Sequence, residues 1–333
     1  MTIPVPFLDN RYDDWPDDHH EWGSLEEFVE ANAWPDGIHT IPLGDGPALD
    51  LLFKDQPLNA PVTPVFFNGA ITGRETKHGP FFSGRGLAAT GQFGFIGVSD
   101  PSVNLHESLG LAWYAGNKYG PFQDQLTRIF QRLADVSGSE LLFIGGSGGG
   151  FASLYYGHRL AEKASVLVWN PQTDVLRYNP QFVKNYLSRA FDLDLPQHGW
   201  EPAALAGTQG VDLSIAQSRP RRLLYMQNAS DWHVQSHTAP FLASGYEHCG
   251  RGVFESDPHH VVQIADYGEG HAALPDTVLL SAIECFKDTA VTASAVSDRL
   301  VARRGQGWHE PSDPSPALCN LLGPDRTICS FRS

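Results

Sequence analysis

Residues 141–154 read Leu-Leu-Phe-Ile-Gly-Gly-Ser-Gly-Gly-Gly-Phe-Ala-Ser-Leu, and no other stretch constrains the fold as strongly. Four apolar residues of strand character, Leu141 to Ile144, run straight into glycines on both sides of Ser147. A helix-compatible segment, Phe151 to Ala161, follows. The order is strand, very tight turn, helix, with one serine at the apex. The spacing Gly145-x-Ser147-x-Gly149 fits a nucleophile elbow, in which the turn is so sharp that the serine takes a strained backbone conformation. A Cβ two residues to either side would collide with the neighbouring strand or helix, so glycine is required there. The following helix turns its free N–H groups and positive dipole end toward any oxyanion formed at the serine.

Other readings of the glycines fail on their surroundings. A Gly/Ser linker would be flanked by polar sequence. A Walker loop needs Gly-Lys-Ser/Thr, and that lysine is missing. A dinucleotide fingerprint fails because Gly146 and Gly148 are followed by Phe151.

The chain is long enough, at 333 residues, for one large domain with additions or at most two domains. Its 23 basic and 38 acidic residues give a net charge of −15, which argues against nucleic acid and anionic membrane as partners. The first residues, Met1 to Asp9, have neither a basic region nor a long apolar run, and nothing elsewhere approaches a membrane span. A cytoplasmic protein is expected. Cys249, Cys285, Cys319 and Cys329 make no metal-ligand spacing, and reduced thiols are the expectation.

Residues 1–35 hold nine acidic residues and one base, Arg11, interspersed with Trp15, Trp22 and Trp34. They read as an N-terminal arm (1–37) laid on the domain, with its tryptophans as packing anchors. Ser24-Leu25-Glu26-Glu27 is a capping box that opens a short helix. Thr40–Leu43 and Leu49–Lys54 form a hairpin across Gly44-Asp45-Gly46-Pro47. Strands are expected at Pro64–Phe67, Gln92–Val98, the elbow strand, Ala164–Trp169, Arg222–Met226 and, as the last, His260–Ala265. An amphipathic helix fits Pro121–Val136 and a closing helix Leu274–Lys287. This alternation predicts an α/β fold with a mostly parallel central sheet and helices on both faces. The domain runs over 38–300, and the alternation breaks at about 171–220, where helices fit Pro180–Phe191 and Trp200–Gly207. From Gly305 the prolines Pro311, Pro314 and Pro316 mark an irregular C-terminal tail (301–333).

A serine elbow needs a base, an acid to orient that base, and an oxyanion hole. His271 stands in a Gly-flanked loop after the last strand, where an imidazole can lean back over the serine. For the acid, Asp231 lies a few residues past the end of the Leu223–Gln227 strand, and Asp174, one strand earlier, is the alternative. Either aspartate would also serve as a helix N-cap. His233 and His237, four apart, could share a helical face as metal ligands, but no acidic or cysteine partner stands at matching spacing. His233 is therefore expected to pack near the acid loop. The oxyanion donors expected are the N–H of Gly148, directly after the serine, and of Ala70 or Gly69, in the loop after the early strand.

The order Ser147, Asp231, His271 with an early oxyanion loop resembles the α/β-hydrolase superfamily over roughly residues 38–290. One departure is Asn68-Gly69-Ala70 where many esterases carry His-Gly. The resemblance implies a serine hydrolase that cleaves a carboxylic ester through an acyl-enzyme and needs no cofactor and no metal. Its substrate would be a small-molecule or glycan-linked acyl ester, and the resemblance makes the stretch at about 171–220 a short helical cap that shapes the acyl or alcohol pocket. Gly-Ser-Gly-Gly-Gly-Phe-Ala-Ser-Leu and Asn-Pro-Gln-Thr-Asp further resemble hydrolase-fold proteins of bacterial surface-polysaccharide pathways, which implies an acyltransferase or deacylase acting on a sugar. A non-catalytic binding protein on the same fold is the remaining alternative.

Overall fold

A computed structural model describes residues 7–196, 201, 210–215, 219–304, 308–309 and 315–331. Among them, β1 (His19–Glu21), β2 (Gly37–Ile41), β3 (Leu49–Lys54), β4 (Val62–Phe67), β5 (Phe95–Ser99), β6 (Glu140–Gly146), β7 (Ala164–Trp169), β8 (Arg222–Asn228), β9 (Glu247–Gly250), β10 (Val253–Asp257) and β11 (His260–Ala265) build one sheet. Its spatial order is β1-β2-β3-β5-β4-β6-β7-β8-β11-β10-β9. From β5 to β11 every neighbouring pair is parallel, and the flanking pairs β2/β3, β3/β5, β10/β11 and β9/β10 are antiparallel. The parallel strands run as near-continuous apolar sequence because both of their faces are covered.

Successive strand residues point to opposite faces, so each strand feeds two cores. Val65, Phe67, Leu141 and Phe143 join the core under α1 (Leu25–Glu30), α3 (Phe122–Ser137), α4 (Ser147–Leu160), α5 (Pro180–Phe191) and α8 (Pro316–Leu322). Phe66, Leu142 and Ile144 join the opposite core under α2 (Arg85–Gly91), α6 (Asp276–Phe286) and α7 (Ala293–Arg304). At the base of the sheet, buried Arg222 donates to Glu140 at 2.6 Å and to the carbonyls of Phe286, Asp288 and Val291. That arrangement fastens β6 and β8 to the end of α6. Among the described residues no helix is long and apolar enough to cross a membrane, and the four cysteines are free.

Several elements differ from expectation. Strands β1 and β9 stand at the two edges of the sheet and β10 lies between β9 and β11; of the three only Phe254 is buried, and none carries the apolar alternation that would betray it. The tail is less irregular than its prolines suggest. Pro316 occupies the first turn of α8 behind a Ser315 cap, a position where proline starts a helix rather than breaking one. Ile328–Cys329 forms a further short strand, and buried Phe331 stacks on Tyr267 at 4.7 Å. The helix expected at Trp200–Gly207 lies outside the described residues. In the capping box, Ser24 accepts from Glu27 N at 3.1 Å, but the Glu27 carboxylate reaches Gly23 N at 2.7 Å instead of Ser24. The N-terminal arm packs down through Trp22, Trp34 and Tyr12, the last donating to buried Asp50 at 3.0 Å.

Because β4, β6, β7, β8 and β11 are parallel, the loops after their C-terminal ends converge on one edge of the sheet. In open α/β sheets that is where ligands bind.

Candidate active site

Ser147 occupies the turn between β6 and α4 with φ +54, in the left-handed region that a non-glycine residue rarely takes. The glycines around it are enforced by contact. A Cβ on Gly149 would stand 2.5 Å from the Phe67 carbonyl oxygen, and one on Gly145 would enter the Gly149 carbonyl. Ser147 Oγ accepts a hydrogen bond from Gln172 Nε2 at 3.1 Å. The Gln172 amide is oriented by Trp113, whose Nε1–H donates to Gln172 Oε1. An indole N–H can only donate, so it fixes Oε1 on its own side and leaves the Gln172 NH₂ for the serine. Ser147 Oγ keeps its own proton free to donate elsewhere.

The loop after β4 approaches the serine closely. A Cβ on Gly69 would lie 3.3 Å from Gly146 O and 3.7 Å from Ser147 Cβ. Asn68 N–H is taken by the Tyr114 hydroxyl at 2.8 Å, and Ile71 N–H by Gly110 O at 2.8 Å. Between them, the Gly69 and Ala70 N–H groups have no acceptor among the described residues. Gly148 sits in the first turn of α4, where an N–H has no intrahelical partner.

His271 Nδ1 lies 2.6 Å from Asp231 Oδ2, across 40 residues of sequence. The imidazole is about a third exposed while the carboxylate is fully buried. Ser147 and His271 line one cavity of about 360 Å³, together with Gly69, Leu87, Trp169 and Leu274. Burial alone would raise the Asp231 pKa, but hydrogen bonds from His233 and His271 more than offset it and hold the group at about 2. Asp231 is therefore an anion throughout the neutral range. Asp174 stands elsewhere. It caps the turn Val175–Arg177 by accepting from Leu176 N at 2.9 Å and pairs with Arg177 at 3.2 Å.

His233 packs beside the acid, as expected from the sequence. Its Nδ1 lies 2.8 Å from Asp231 Oδ1, and its ring stacks on His237 at 4.9 Å. Burial depresses both imidazoles, His237 to about 3, and Asp231 opposes the effect at His233. Ligand-type atoms of Asp231, His233 and His271 fall within 4.8 Å of one another, in a cluster that excludes His237. The carboxylate already serves as hydrogen-bond acceptor for both rings of that cluster.

The loop carrying His271 is held by residues the sequence reading did not single out. Asn228 Nδ2 donates to Gly268 O at 2.9 Å and Gly270 O at 2.5 Å, and its Oδ1 accepts from Tyr267 N at 3.0 Å. Asn170 Nδ2 donates to Ala272 O at 2.8 Å, and its Oδ1 accepts from Asn228 N at 2.7 Å. The signals in the sequence were the place of both amides at the ends of β7 and β8 and, for Asn170, its standing at the head of the Asn-Pro-Gln-Thr-Asp stretch.

Removing the Gln172 amide tests its hold on the serine. Gln172→Ala is expected to lower kcat/KM by about threefold to tenfold, the worth of one hydrogen bond. It should also lower stability by about 1–3 kcal/mol, because the buried Trp113 N–H loses its acceptor. Steady-state kinetics and a thermal melt read the two effects separately.

No protein-family model matches the sequence, and no curated protein matches it. Solved structures do. The capsule O-acetyltransferase of Neisseria meningitidis serogroup A superposes with TM-score 0.50 and 12% identity, covering 78% of this chain and 98% of that one. A mutant of that enzyme in complex with CoA gives TM-score 0.51 and 12% identity, covering 76% and 95%. Carboxyl esterase 2 of the fungus Tuber melanosporum superposes more loosely, with TM-score 0.45 and 14% identity over 87% of this chain and 93% of its own. At such identities a likeness speaks to the fold alone.

Proposed function

We propose that this chain, which has the α/β-hydrolase fold, is a serine hydrolase that cleaves a carboxylic ester through an acyl-enzyme. The observation that carries the reading is the 2.6 Å contact of His271 Nδ1 with buried Asp231, in a loop that also lines the cavity of Ser147. His271 Nε2 takes the serine proton as Oγ attacks the ester carbonyl. Asp231 holds the ring with Nδ1–H inward and stabilises the imidazolium. The N–H groups of Gly148, Ala70 and Gly69 receive the developing oxyanion, a kind of donor worth about 2.7–4 kcal/mol of barrier when one is removed. The imidazolium protonates the departing alcohol, and a water deprotonated by the same ring then releases the acid.

A second reading, acyl transfer to or from a sugar hydroxyl, gains support from the shape of the site. A second cleft, of about 690 Å³, shares Gly69 with the serine cavity and is lined by Trp15, Phe81 and Phe82 beside Asp14, Asn68 and Lys77. Aromatic faces next to polar side chains suit a polyhydroxylated group. The O-acetyltransferases with the same fold make an alcohol acceptor chemically reasonable.

The test is labelling with a fluorophosphonate probe, followed by a panel of short to long acyl esters. Labelling of the wild type that vanishes in Ser147→Ala is the expected result. Folded wild-type protein that takes no label would remove the hydrolase reading in favour of a binding protein. Product analysis with and without an added sugar alcohol separates hydrolysis from transfer.

A further inference from the structure

The Asp231 carboxylate is shared by two histidines, and only one of them faces the serine. His233 reaches the carboxylate twice, with its backbone N–H to Oδ1 at 3.0 Å and its Nδ1 to the same oxygen at 2.8 Å. Its side chain is wholly buried, and its Nε2 has no partner among the described residues. Facing a carboxylate, Nδ1 must carry the proton, which leaves Nε2 bare. A bare buried ring nitrogen costs stability that a phenylalanine in the same slot would not. The slot is otherwise aromatic. The His233 ring packs at a tilt against Trp232 at 4.1 Å and stacks on His271 at 4.4 Å and on Tyr178 at 5.9 Å. The feature that a phenylalanine could not supply is the Nδ1–H.

We propose that His233 is a positioning residue for the triad: it pins Oδ1 of Asp231 from two sides, so that Oδ2 has one orientation and one partner, His271. This rests on the hydrolase reading for its purpose, though not for its geometry. A carboxylate bonded only by His271 could turn about its last torsion and offer either oxygen. With two donors converging on Oδ1, that rotation breaks both bonds. The His233 ring also lies flat against His271, which closes one flank of the base to water. The ionisable groups that face His233 are Asp231 and His271 directly, and His237 and Tyr178 through the stack, with Arg177 acting on His237 beyond them.

The test compares wild type, His233→Phe and His233→Asn. Phenylalanine keeps the stack without the donor, and asparagine restores a donor near the Nδ1 position without the ring. The primary readout is the downfield ¹H NMR resonance of the His271 Nδ1–H at one fixed pH, assigned with His271→Gln, which needs no turnover. A carboxylate freed to rotate holds that proton less tightly. The resonance is therefore expected to move upfield and broaden in His233→Phe, and to stay near the wild-type position in His233→Asn. In kinetics, His233→Phe should lose about tenfold to a hundredfold in kcat with KM within about twofold, and asparagine should recover most of it. If phenylalanine does not fold, His233→Gln, whose donor stands one carbon too far out, is expected to shift the resonance in its place. A resonance that stays put, or moves equally in the asparagine and phenylalanine variants, overturns the proposal and leaves His233 as packing. Absence of Ser147-dependent labelling in the wild type would instead overturn the hydrolase reading, while the NMR comparison would still decide the role of His233.

Discussion

Ser147→Ala is expected to lower kcat by at least about 10⁴-fold, the order found when the nucleophile of a serine triad is removed. Its melting temperature should stay within about 3 °C of wild type. Alanine takes the same positive φ at much the same cost as serine, so the strain at the elbow is unchanged. What is lost is the single hydrogen bond from Gln172 Nε2. The two readouts together separate chemistry from folding. Full activity in the alanine variant would sink the assignment of the nucleophile, whatever the melt shows.

Asp231→Asn is expected to lower kcat by about 10³–10⁴-fold. The reasoning runs through hydrogen-bond polarity. Two donors from His233 converge on Oδ1, so in the variant the amide oxygen must stay on that side. The new NH₂ then faces His271 Nδ1 and obliges that nitrogen to accept. The proton of the imidazole moves to Nε2, and a ring with Nε2–H cannot take the proton of Ser147. Asp174→Asn, by contrast, should leave kcat within about twofold, because asparagine caps a turn as well as aspartate does. The exposed ion pair with Arg177 is worth little. Steady-state kinetics on the two variants side by side is the measurement, and the reverse ranking would move the acid to Asp174.

The parallel sheet and the serine turn could be read from the chain because both are local. Leu141 to Ile144 followed by glycines is a strand entering a tight turn, and the strand–helix alternation around it needs no distant partner to be recognised. His271 and Asp231 could be singled out because each stands just past a strand end. The roles of Gln172, Asn170 and Asn228 could not, although the first two stand in the Asn-Pro-Gln-Thr-Asp stretch. Each is a neutral amide whose importance lies in a contact across tens of residues, such as Asn228 with Gly268 and Gly270, and no periodicity marks it. The edge strands escaped for a related reason. A strand such as Glu247–Gly250, exposed on one face and only half-buried on the other, has no buried face to impose a pattern. The prolines of the tail misled because Pro316 marks the start of a helix as readily as the end of one.

The strand at Ile328–Cys329 has a practical consequence. Asp266 N–H donates to Cys329 O at 2.8 Å and Phe331 N–H to Asp266 O at 2.6 Å, at the root of the loop that carries His271. That segment is a suture on the histidine loop, though it lies nowhere near the serine cavity in sequence. An affinity tag fused just beyond Phe331, or a protease nick between α7 and α8, would loosen the base without altering any residue of the cleft. Turnover measured on a C-terminally tagged preparation would then report the fusion as much as the enzyme, and an N-terminal tag is the sounder choice for every assay described above.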